Sequence, residues 1–213
     1  MHRRAHVLSL LVAATVALAV FGVLASAVVR DTSLADLDRR VAEWVAAEMP
    51  GWAEWSARPF TWLGGWVGLT IVSVVLVLAL LVAHRLWDAV WVALAVTVTQ
   101  VLTAVTKGGY DRPRPDAGSA IELPSSSSFP SGHASGAIVT AGVLAALAWP
   151  RWRKHHGVVL AVAAFVAFAV GASRIVLGVH YVTDVIAGFA FGAAWLALLL
   201  VVRQLVGHRG TST

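Results

Sequence analysis

Long stretches without a charged residue alternate with short polar segments along the chain. Six of these stretches are long enough to cross or nearly cross a bilayer, because a crossing helix needs about 20 apolar residues. They cover residues 7–29, 59–83, 89–106, 134–150, 157–173 and 185–202. The pattern predicts an all-α protein with a six-helix transmembrane bundle, and the length of 213 residues predicts one membrane-embedded domain over residues 1–213.

Apolar residues also recur at helical spacing between the first two stretches, where the chain is otherwise polar. They are Leu34, Leu37, Val41, Trp44, Val45, Met49, Trp52 and Trp55, whereas Asp36, Asp38, Arg39, Arg40 and Glu43 face other directions. This spacing predicts an amphipathic interfacial helix lying on the outer membrane surface. A helix packed against the bundle explains the same pattern equally well.

The composition agrees with a membrane protein. Hydrophobic residues make up 59% of the chain and charged residues 13%, whereas about a quarter of the residues are charged in a soluble protein. The chain has no cysteine, which excludes disulfides, thiol nucleophiles and Cys-ligated metals. The net charge of +5 comes largely from residues at the ends of apolar stretches, where they set topology. We therefore expect a membrane partner and no nucleic acid.

Short basic loops predict the orientation of the bundle. The loops around Arg85 and around Arg151, Arg153 and Lys154 lie on the same side as the N-terminus if every stretch crosses the membrane. The positive-inside rule then places these loops and both termini in the cytoplasm. We expect a multi-pass protein of the plasma membrane, with the intervening connections outside the cell.

The first apolar stretch has two interpretations. It passes Ala25-Ser26-Ala27, which is similar to a signal-peptidase site. Its apolar region is longer than the roughly 7 to 15 residues of a signal peptide, which favours a retained anchor.

Residues capable of chemistry are concentrated in three segments, all at outward ends of predicted helices. The first contains Lys107 and Arg114-Pro115. The second is Pro130-Ser131-Gly132-His133, and the third contains Ser173-Arg174, His180 and Asp184. Because each helix crossing reverses the chain direction, the topology brings the three segments to one membrane face.

These residue types suit a phosphate site. Lys107, Arg114 and Arg174 can neutralise a dianionic phosphoryl group. Ser131, Gly132 and His133 open a helix whose free N–H groups favour an anion. His180 and Asp184 are four residues apart, so the carboxylate can hold one imidazole nitrogen and leave the other as a nucleophile. His133 is then available as a general acid.

Each of these residues also has a purely structural explanation when taken singly. Lysine and arginine anchor helix ends at the interface, Ser-Gly pairs cap helices, and a His-Asp pair often only braces a turn. Their distribution favours the functional interpretation. Of eight histidines, only His133 and His180 fall on the predicted outer side, and each lies within one of the three segments.

The three segments resemble the signature motifs of the type 2 phosphatidic acid phosphatase superfamily, and no signature position departs from them. The resemblance implies a six-helix transmembrane bundle and hydrolysis of lipid phosphates without a metal or other cofactor at the extracytoplasmic face. It implies that His180 attacks phosphorus, Asp184 orients His180 and His133 protonates the leaving group. The phosphoryl oxygens would be held by Lys107, Arg114, Ser131, Gly132 and Arg174.

The resemblance leaves the substrate open among lipid phosphate monoesters, such as phosphatidic acid and phosphatidylglycerol phosphate, and polyprenyl diphosphates. We expect the choice to depend on the groove between the helices and on the loop over residues 118–128. Two other functions remain. Vanadate-dependent haloperoxidases share the three segments but resemble larger soluble proteins, and a non-catalytic anion-binding membrane protein would tolerate loss of either histidine.

Overall fold

All regular structure in the described part of the chain, residues 2–116 and 119–206, is helical in the computed structural model. No strand occurs within these ranges. The helices are α1 His2–Val29, α2 Ser33–Glu48, α3 Gly51–Gly64, α4 Trp66–Val82, α5 Leu86–Gly108, α6 Gly132–Ala148, α7 His156–Val176 and α8 Val182–Val206, and a 3-10 turn covers Arg153–His155. The all-α prediction is therefore confirmed.

Four of the described helices are long and apolar enough to cross a membrane. These are α1, α5, α7 together with the 3-10 turn before it, and α8. The bent pair α3 and α4 makes a fifth crossing if the pair is taken as one span, and α6 is an apolar helix of 17 residues. The count of six crossings stays a prediction.

The stretch 59–83, predicted as one helix, is divided in the structure. Helix α3 begins at Gly51, contains Pro59 in its interior, and meets α4 at Gly65 with a bend of 52°. Gly65 is in an extended conformation, so the helical hydrogen bonding cannot continue through it. A Cβ atom on Gly68, in the first turn of α4, would lie 2.3 Å from the carbonyl oxygen of Trp62. Only glycine permits this tight turn.

The predicted amphipathic helix is likewise two helices. Helix α2 ends at Glu48, and Pro50 precedes α3, which carries Trp52 and Trp55. Proline lacks an N–H group and disfavours helical geometry in the residue before it, which explains the break. On α2, Leu37 and Trp44 are exposed whereas Asp38 is buried. Val45, from the same set of apolar residues, is buried, so the predicted apolar face is only partly exposed. The interfacial position of α2 stays a prediction.

Close contact between α6 and α8 fixes the relative position of their first turns. A Cβ atom on Gly188 would lie 2.5 Å from the carbonyl oxygen of Ser131, and one on Gly192 would lie 2.7 Å from that of Ser135. Helix α1 packs against α8, where Phe21 contacts Phe191 at 5.5 Å between ring centroids. Cleavage after Ala27 would remove this contact, and retention of α1 stays a prediction.

Candidate active site

The predicted site residues lie at helix ends and in the connections next to them. Lys107 is in the last turn of α5, and Arg114 is in the connection that follows. Ser131 is the N-cap of α6, whose first residues are Gly132 and His133. Arg174 is in the last turn of α7, His180 is in the connection to α8, and Asp184 is in the first turn of α8. The first turns of α6 and α8 present unpaired N–H groups, which favour an anion, whereas the last turns of α5 and α7 present carbonyl groups and carry the cations Lys107 and Arg174.

His180 and Asp184 form a buried hydrogen-bonded pair. Nδ1 of His180 lies 3.3 Å from Oδ2 of Asp184, and the backbone N–H of Tyr181 donates to the same oxygen at 2.9 Å. On the other side of the ring, Nη1 of Arg114 lies 3.3 Å from Nε2. A guanidinium group can only donate, so Nε2 must be the accepting nitrogen and Nδ1 carries the proton. The geometry therefore fixes one tautomer, with the lone pair on Nε2.

Burial keeps His180 neutral. It lowers the pKa of the His180 imidazole to about 4, and the hydrogen bond and negative charge of Asp184 oppose this effect only in part. The positive charges of Arg174 and Lys107 lower the pKa further. At neutral pH the imidazole is thus uncharged, as a nucleophile requires.

Three cations surround this imidazole, and none has a carboxylate partner within the described residues. The ammonium group of Lys107 donates to the carbonyl oxygen of Ser127 at 2.5 Å. Arg114 donates to the carbonyl oxygen of Val179 at 2.8 Å. Arg174 donates to the hydroxyl of Thr61, and its buried Nε has no partner. By contrast, Arg39, Arg85 and Arg203 are each paired with a carboxylate. An excess of positive charge at one buried place favours an anion.

The start of α6 is held against α8. The backbone N–H of Ser131 donates to the carbonyl oxygen of Asp184 at 3.0 Å, and its side chain caps the helix by accepting from the N–H of Ala134. A Cβ atom on Gly132 would lie 3.3 Å from Thr103, so this residue permits close packing on α5. The structure thus gives Ser131 and Gly132 structural contacts, and their contact with phosphate stays a prediction.

His133 lies at the bend between α3 and α4. A Cβ atom on Gly65 would lie 3.4 Å from Nε2 of His133, so this glycine leaves space beside the imidazole. His133 is partly exposed, unlike the buried His180. Burial of its ring and the positive charge of Arg174 lower the pKa of His133 well below its usual value, so the imidazole is neutral in the phosphate-free site. Its role as a general acid stays a prediction.

The loop predicted over residues 118–128 contacts the cations, although Gly118 itself lies outside the described residues. Arg114 donates to the carbonyl oxygen of Pro124 at 3.0 Å and to the hydroxyl of Ser126 at 3.3 Å. Ser127 and Ser128 provide the carbonyl oxygens near Lys107. The serine-rich run thus lies over the cationic cluster, and its effect on specificity stays a prediction.

Sequence reasoning missed a charged group in direct contact with Asp184. Arg112 donates from Nη1 to Oδ1 of Asp184 at 2.5 Å and from Nη2 to Oδ2 of Asp38 at 2.7 Å. Arg112 was visible as a third cation close to Lys107 and Arg114. The sequence does not distinguish Asp38 from the other charged residues of α2. Its neighbours Asp36 and Arg39 are exposed and form an ordinary surface ion pair.

A metal ion has no evident ligand set here. Within residues 2–116 and 119–206, no three His, Asp or Glu side chains lie close enough together to hold one. Independence of metals stays a prediction, based on the positive charge that the cations and the helix start supply.

Comparison with known proteins identifies a family for these features. Residues 88–207 match the model of the PAP2 superfamily. The chain is 29% identical to phosphatidylglycerophosphatase B of Bacillus subtilis (strain 168) over 180 residues, which cover 83% of this chain and 88% of the relative. It is 44% identical to a lipid A 1-phosphatase of Rhizobium johnstonii over 79 residues, covering 35% of this chain and 27% of the relative.

A solved structure has the same fold over almost the whole chain. The crystal structure of a transmembrane PAP2 type phosphatidylglycerolphosphate phosphatase from Bacillus subtilis superposes with a TM-score of 0.85 at 28% identity. The superposition covers 91% of this chain and 96% of that chain. Together with the four long apolar helices, this similarity shows a multi-pass membrane protein.

Proposed function

The chain belongs to the PAP2 superfamily, whose related members are named phosphatases, and we propose that this phosphoric ester hydrolase removes the phosphate of a membrane lipid through a phosphohistidine on His180. The observation that carries the proposal is the cationic cluster at the buried imidazole. Lys107, Arg114 and Arg174 surround His180 and have no carboxylate partner among the described residues. A phosphoryl dianion supplies the missing negative charge.

In the first step, the lone pair on Nε2 of His180 forms a bond to phosphorus and the bond from phosphorus to the lipid oxygen breaks. His133 is neutral in the phosphate-free site, because burial and the nearby cations lower its pKa, and it takes up a proton when the phosphoryl dianion binds and offsets those cations. It gives this proton to the lipid oxygen, so the lipid leaves as an alcohol. The three cations hold the other phosphoryl oxygens as charge develops. Asp184 stabilises the positive charge on the His180 ring through Nδ1, which lies 3.3 Å from the carboxylate.

In the second step, water replaces the lipid. His133, now neutral, accepts a proton from the water as its oxygen forms a bond to phosphorus. The bond between phosphorus and Nε2 breaks, and its electron pair returns to the imidazole. Inorganic phosphate leaves, and the two histidines regain their original protonation states. Neither step requires a metal or another cofactor.

The site faces outward in this proposal. The cations and both histidines lie at the helix ends opposite the basic loops around Arg85 and Lys154. The positive-inside rule assigns those loops and both termini to the cytoplasm of a cell whose plasma membrane holds the protein. Substrate therefore reaches the site from the outer leaflet.

The relatives favour a phosphate monoester as the substrate. The Bacillus subtilis relative is named for phosphatidylglycerophosphate, and the Rhizobium relatives for lipid A 1-phosphate. An apolar cavity of about 500 Å³, lined by α3, α4, α6 and α7, includes Gly64 next to the bend at His133. Such a cavity suits a hydrocarbon chain. We propose phosphatidylglycerophosphate as the first substrate to test, with polyprenyl diphosphate as the alternative.

The experiment is phosphate release by the purified protein in detergent micelles with excess EDTA. Substrates are phosphatidylglycerophosphate, phosphatidic acid and a polyprenyl diphosphate, and the His180→Gln variant is the control. We expect release that persists in EDTA and is inhibited by orthovanadate, which mimics five-coordinate phosphorus. Absence of release from every substrate contradicts the proposal and favours an anion-binding protein, whereas bromide oxidation on adding vanadate and peroxide favours a haloperoxidase.

A further inference from the structure

Asp38 is a buried carboxylate on α2, a helix that carries none of the predicted site residues. Its side chain is 2% exposed, and it lies outside the segment 88–207 that matches the family model. Oδ1 accepts from the backbone N–H of Thr183 at 3.1 Å, and Oδ2 accepts from the Thr183 hydroxyl and from Arg112. A buried carboxylate with this many donors is held in one place.

Arg112 joins this carboxylate to the one that holds the nucleophile. Its two terminal nitrogens donate to different residues, Nη2 to Asp38 and Nη1 to Asp184 and the Thr183 hydroxyl. The side chain is 9% exposed, and the ring of Tyr181 lies 4.3 Å from its guanidinium carbon. The planar guanidinium is thus held at both terminal nitrogens and on one face, which in turn fixes Oδ1 of Asp184.

The charges of Asp38, Arg112 and Asp184 also matter for the reaction. Asp38 and Asp184 are negative and Arg112 lies between them, so Arg112 neutralises only part of the charge on each. Asp184 therefore keeps negative charge toward His180, whose ring becomes positive when it bonds to phosphorus. If Asp38 were uncharged, Arg112 would pair with Asp184 alone and weaken that stabilisation.

We propose that Asp38 and Arg112 are positioning residues for the phosphatase reaction, which fix the carboxylate of Asp184 and preserve its charge toward His180. The inference rests on the proposed phosphohistidine function. It makes α2 part of the catalytic apparatus, although α2 contributes no residue that touches the reacting atoms.

The first test compares two carboxylates of the same helix. Asp38→Asn keeps the shape of the side chain and removes its charge, and Asp36→Asn does the same for an exposed residue paired with Arg39. Replacing the hydrogen-bond partner of a metal-binding histidine typically changes activity by about 10- to 100-fold. Asp38 reaches His180 only through Arg112 and Asp184, so the lower end of this scale, about 10-fold, applies here. We expect a loss of kcat of this size for Asp38→Asn with KM little changed, because the cations that hold phosphate remain. Asp36→Asn should retain wild-type values.

Arg112→Lys is the second variant, since removing the charge of a buried residue can prevent folding. Lysine keeps the positive charge but places it on a single nitrogen and lacks the planar two-ended fork of arginine, so we expect a smaller loss of kcat. Asp38→Glu, which restores the charge, should recover part of the activity lost in Asp38→Asn. Wild-type kcat in both Asp38→Asn and Arg112→Lys, with only a lower melting temperature, would mean a structural brace and overturn the proposal.

A readout without turnover separates this inference from the proposed function. The proton on Nδ1 of His180 can be followed by NMR and assigned by its loss in His180→Gln. We expect its signal to shift or broaden in Asp38→Asn and to stay unchanged in Asp36→Asn. An inactive wild type with this response contradicts the proposed function and leaves the positioning role intact. An active wild type whose signal is the same in both variants contradicts the positioning role alone.

Discussion

The terminal nitrogen Nη1 of Arg114 lies 3.3 Å from Nε2 of His180. In the proposed mechanism, Arg114 occupies the side of the imidazole that attacks phosphorus, so a substrate has to insert between the two groups. The same guanidinium can then hold a phosphoryl oxygen while Nε2 approaches phosphorus. The contact thus fixes the tautomer of the free enzyme, and in the proposal it marks the position of the phosphate.

Replacement of the two histidines should have effects that depend differently on the leaving group. His180→Ala should abolish turnover of every substrate, because no phosphohistidine can form. His133→Ala should lower the rate on phosphatidic acid by roughly 10²- to 10⁴-fold, the usual contribution of a general acid. Its effect on an aryl phosphate should be much smaller, since an aryl oxygen departs without full protonation.

Both variants should be assayed on phosphatidic acid and on an aryl phosphate under the same conditions. If His133→Ala were equally impaired on both substrates and His180→Ala still cleaved the aryl ester, the two roles would have to be exchanged.

The protonation of His180 gives a prediction for pH dependence. Because burial lowers the pKa of this imidazole to about 4 in the phosphate-free site, the neutral form predominates above that pH. The nucleophile is lost only as the pH falls through about 4, where protonation occupies the Nε2 lone pair. NMR titration of the ring carbons, with His180→Gln for assignment, should show a midpoint near this pH. A midpoint near the ordinary histidine value of about 6.5 would contradict the burial of the site.

Close packing at Gly188 should make alanine costly there. A Cβ atom at this position would lie 2.5 Å from the carbonyl oxygen of Ser131 and 2.9 Å from the Cβ atom of Ala134. Helix α8 would have to move away from the start of α6, and overpacking of this kind typically costs about 1–3 kcal/mol. We expect Gly188→Ala to lower both the melting temperature and kcat.

Gly22→Ala is the matched control for this prediction. Gly22 lies within a helix and a Cβ atom there would meet nothing within 4 Å. Alanine should therefore be neutral or slightly stabilising, because it favours helix by about 1 kcal/mol over glycine. Equal melting temperatures and activities for the two variants would show that the contact between α6 and α8 does not hold the site together.

The absence of cysteine from the sequence allows a direct test of orientation. Glu122 and Lys154 are both exposed, and they lie in connections at opposite ends of the bundle in the proposed topology. A membrane-impermeant maleimide added to intact cells should label Glu122→Cys, whereas Lys154→Cys should react only after lysis. The reverse pattern would invert the orientation and leave the chemistry of the site unaffected.

Much of the fold could be predicted because apolar stretches mark membrane helices directly. The prediction failed at two local breaks. Helix α3 ends just before Gly65, although the residues on both sides are as apolar as those of a continuous membrane helix. Hydropathy does not reveal the break, because it carries no information on backbone conformation. Pro50 separates α2 from α3 within a run of regularly spaced tryptophans, and that spacing concealed the break. Both breaks depend on one residue rather than on the period of the pattern.

The candidate site was predicted in part for a different reason. Lys107, His133 and His180 lie in short segments in which the order of residue types predicts a phosphate site. They could therefore be identified from the sequence. The hydrogen bond between Arg112 and Asp38 joins residues 74 positions apart. Asp38 lies on α2, a helix whose polar residues are otherwise exposed. No spacing rule distinguishes this buried carboxylate from its neighbours. Only the packing of α2 against the start of α8 reveals it.

Trapping the phosphorylated enzyme tests the central claim most directly. The protein would be mixed with substrate carrying ³²P in the phosphate, and turnover would be stopped within milliseconds in alkaline detergent, because phosphohistidine is stable to base and labile to acid. We predict a transient label on the peptide that contains His180, absent from His180→Gln. Stoichiometric phosphate release with no label, or a label that persists in His180→Gln, would contradict a phosphohistidine mechanism at this residue.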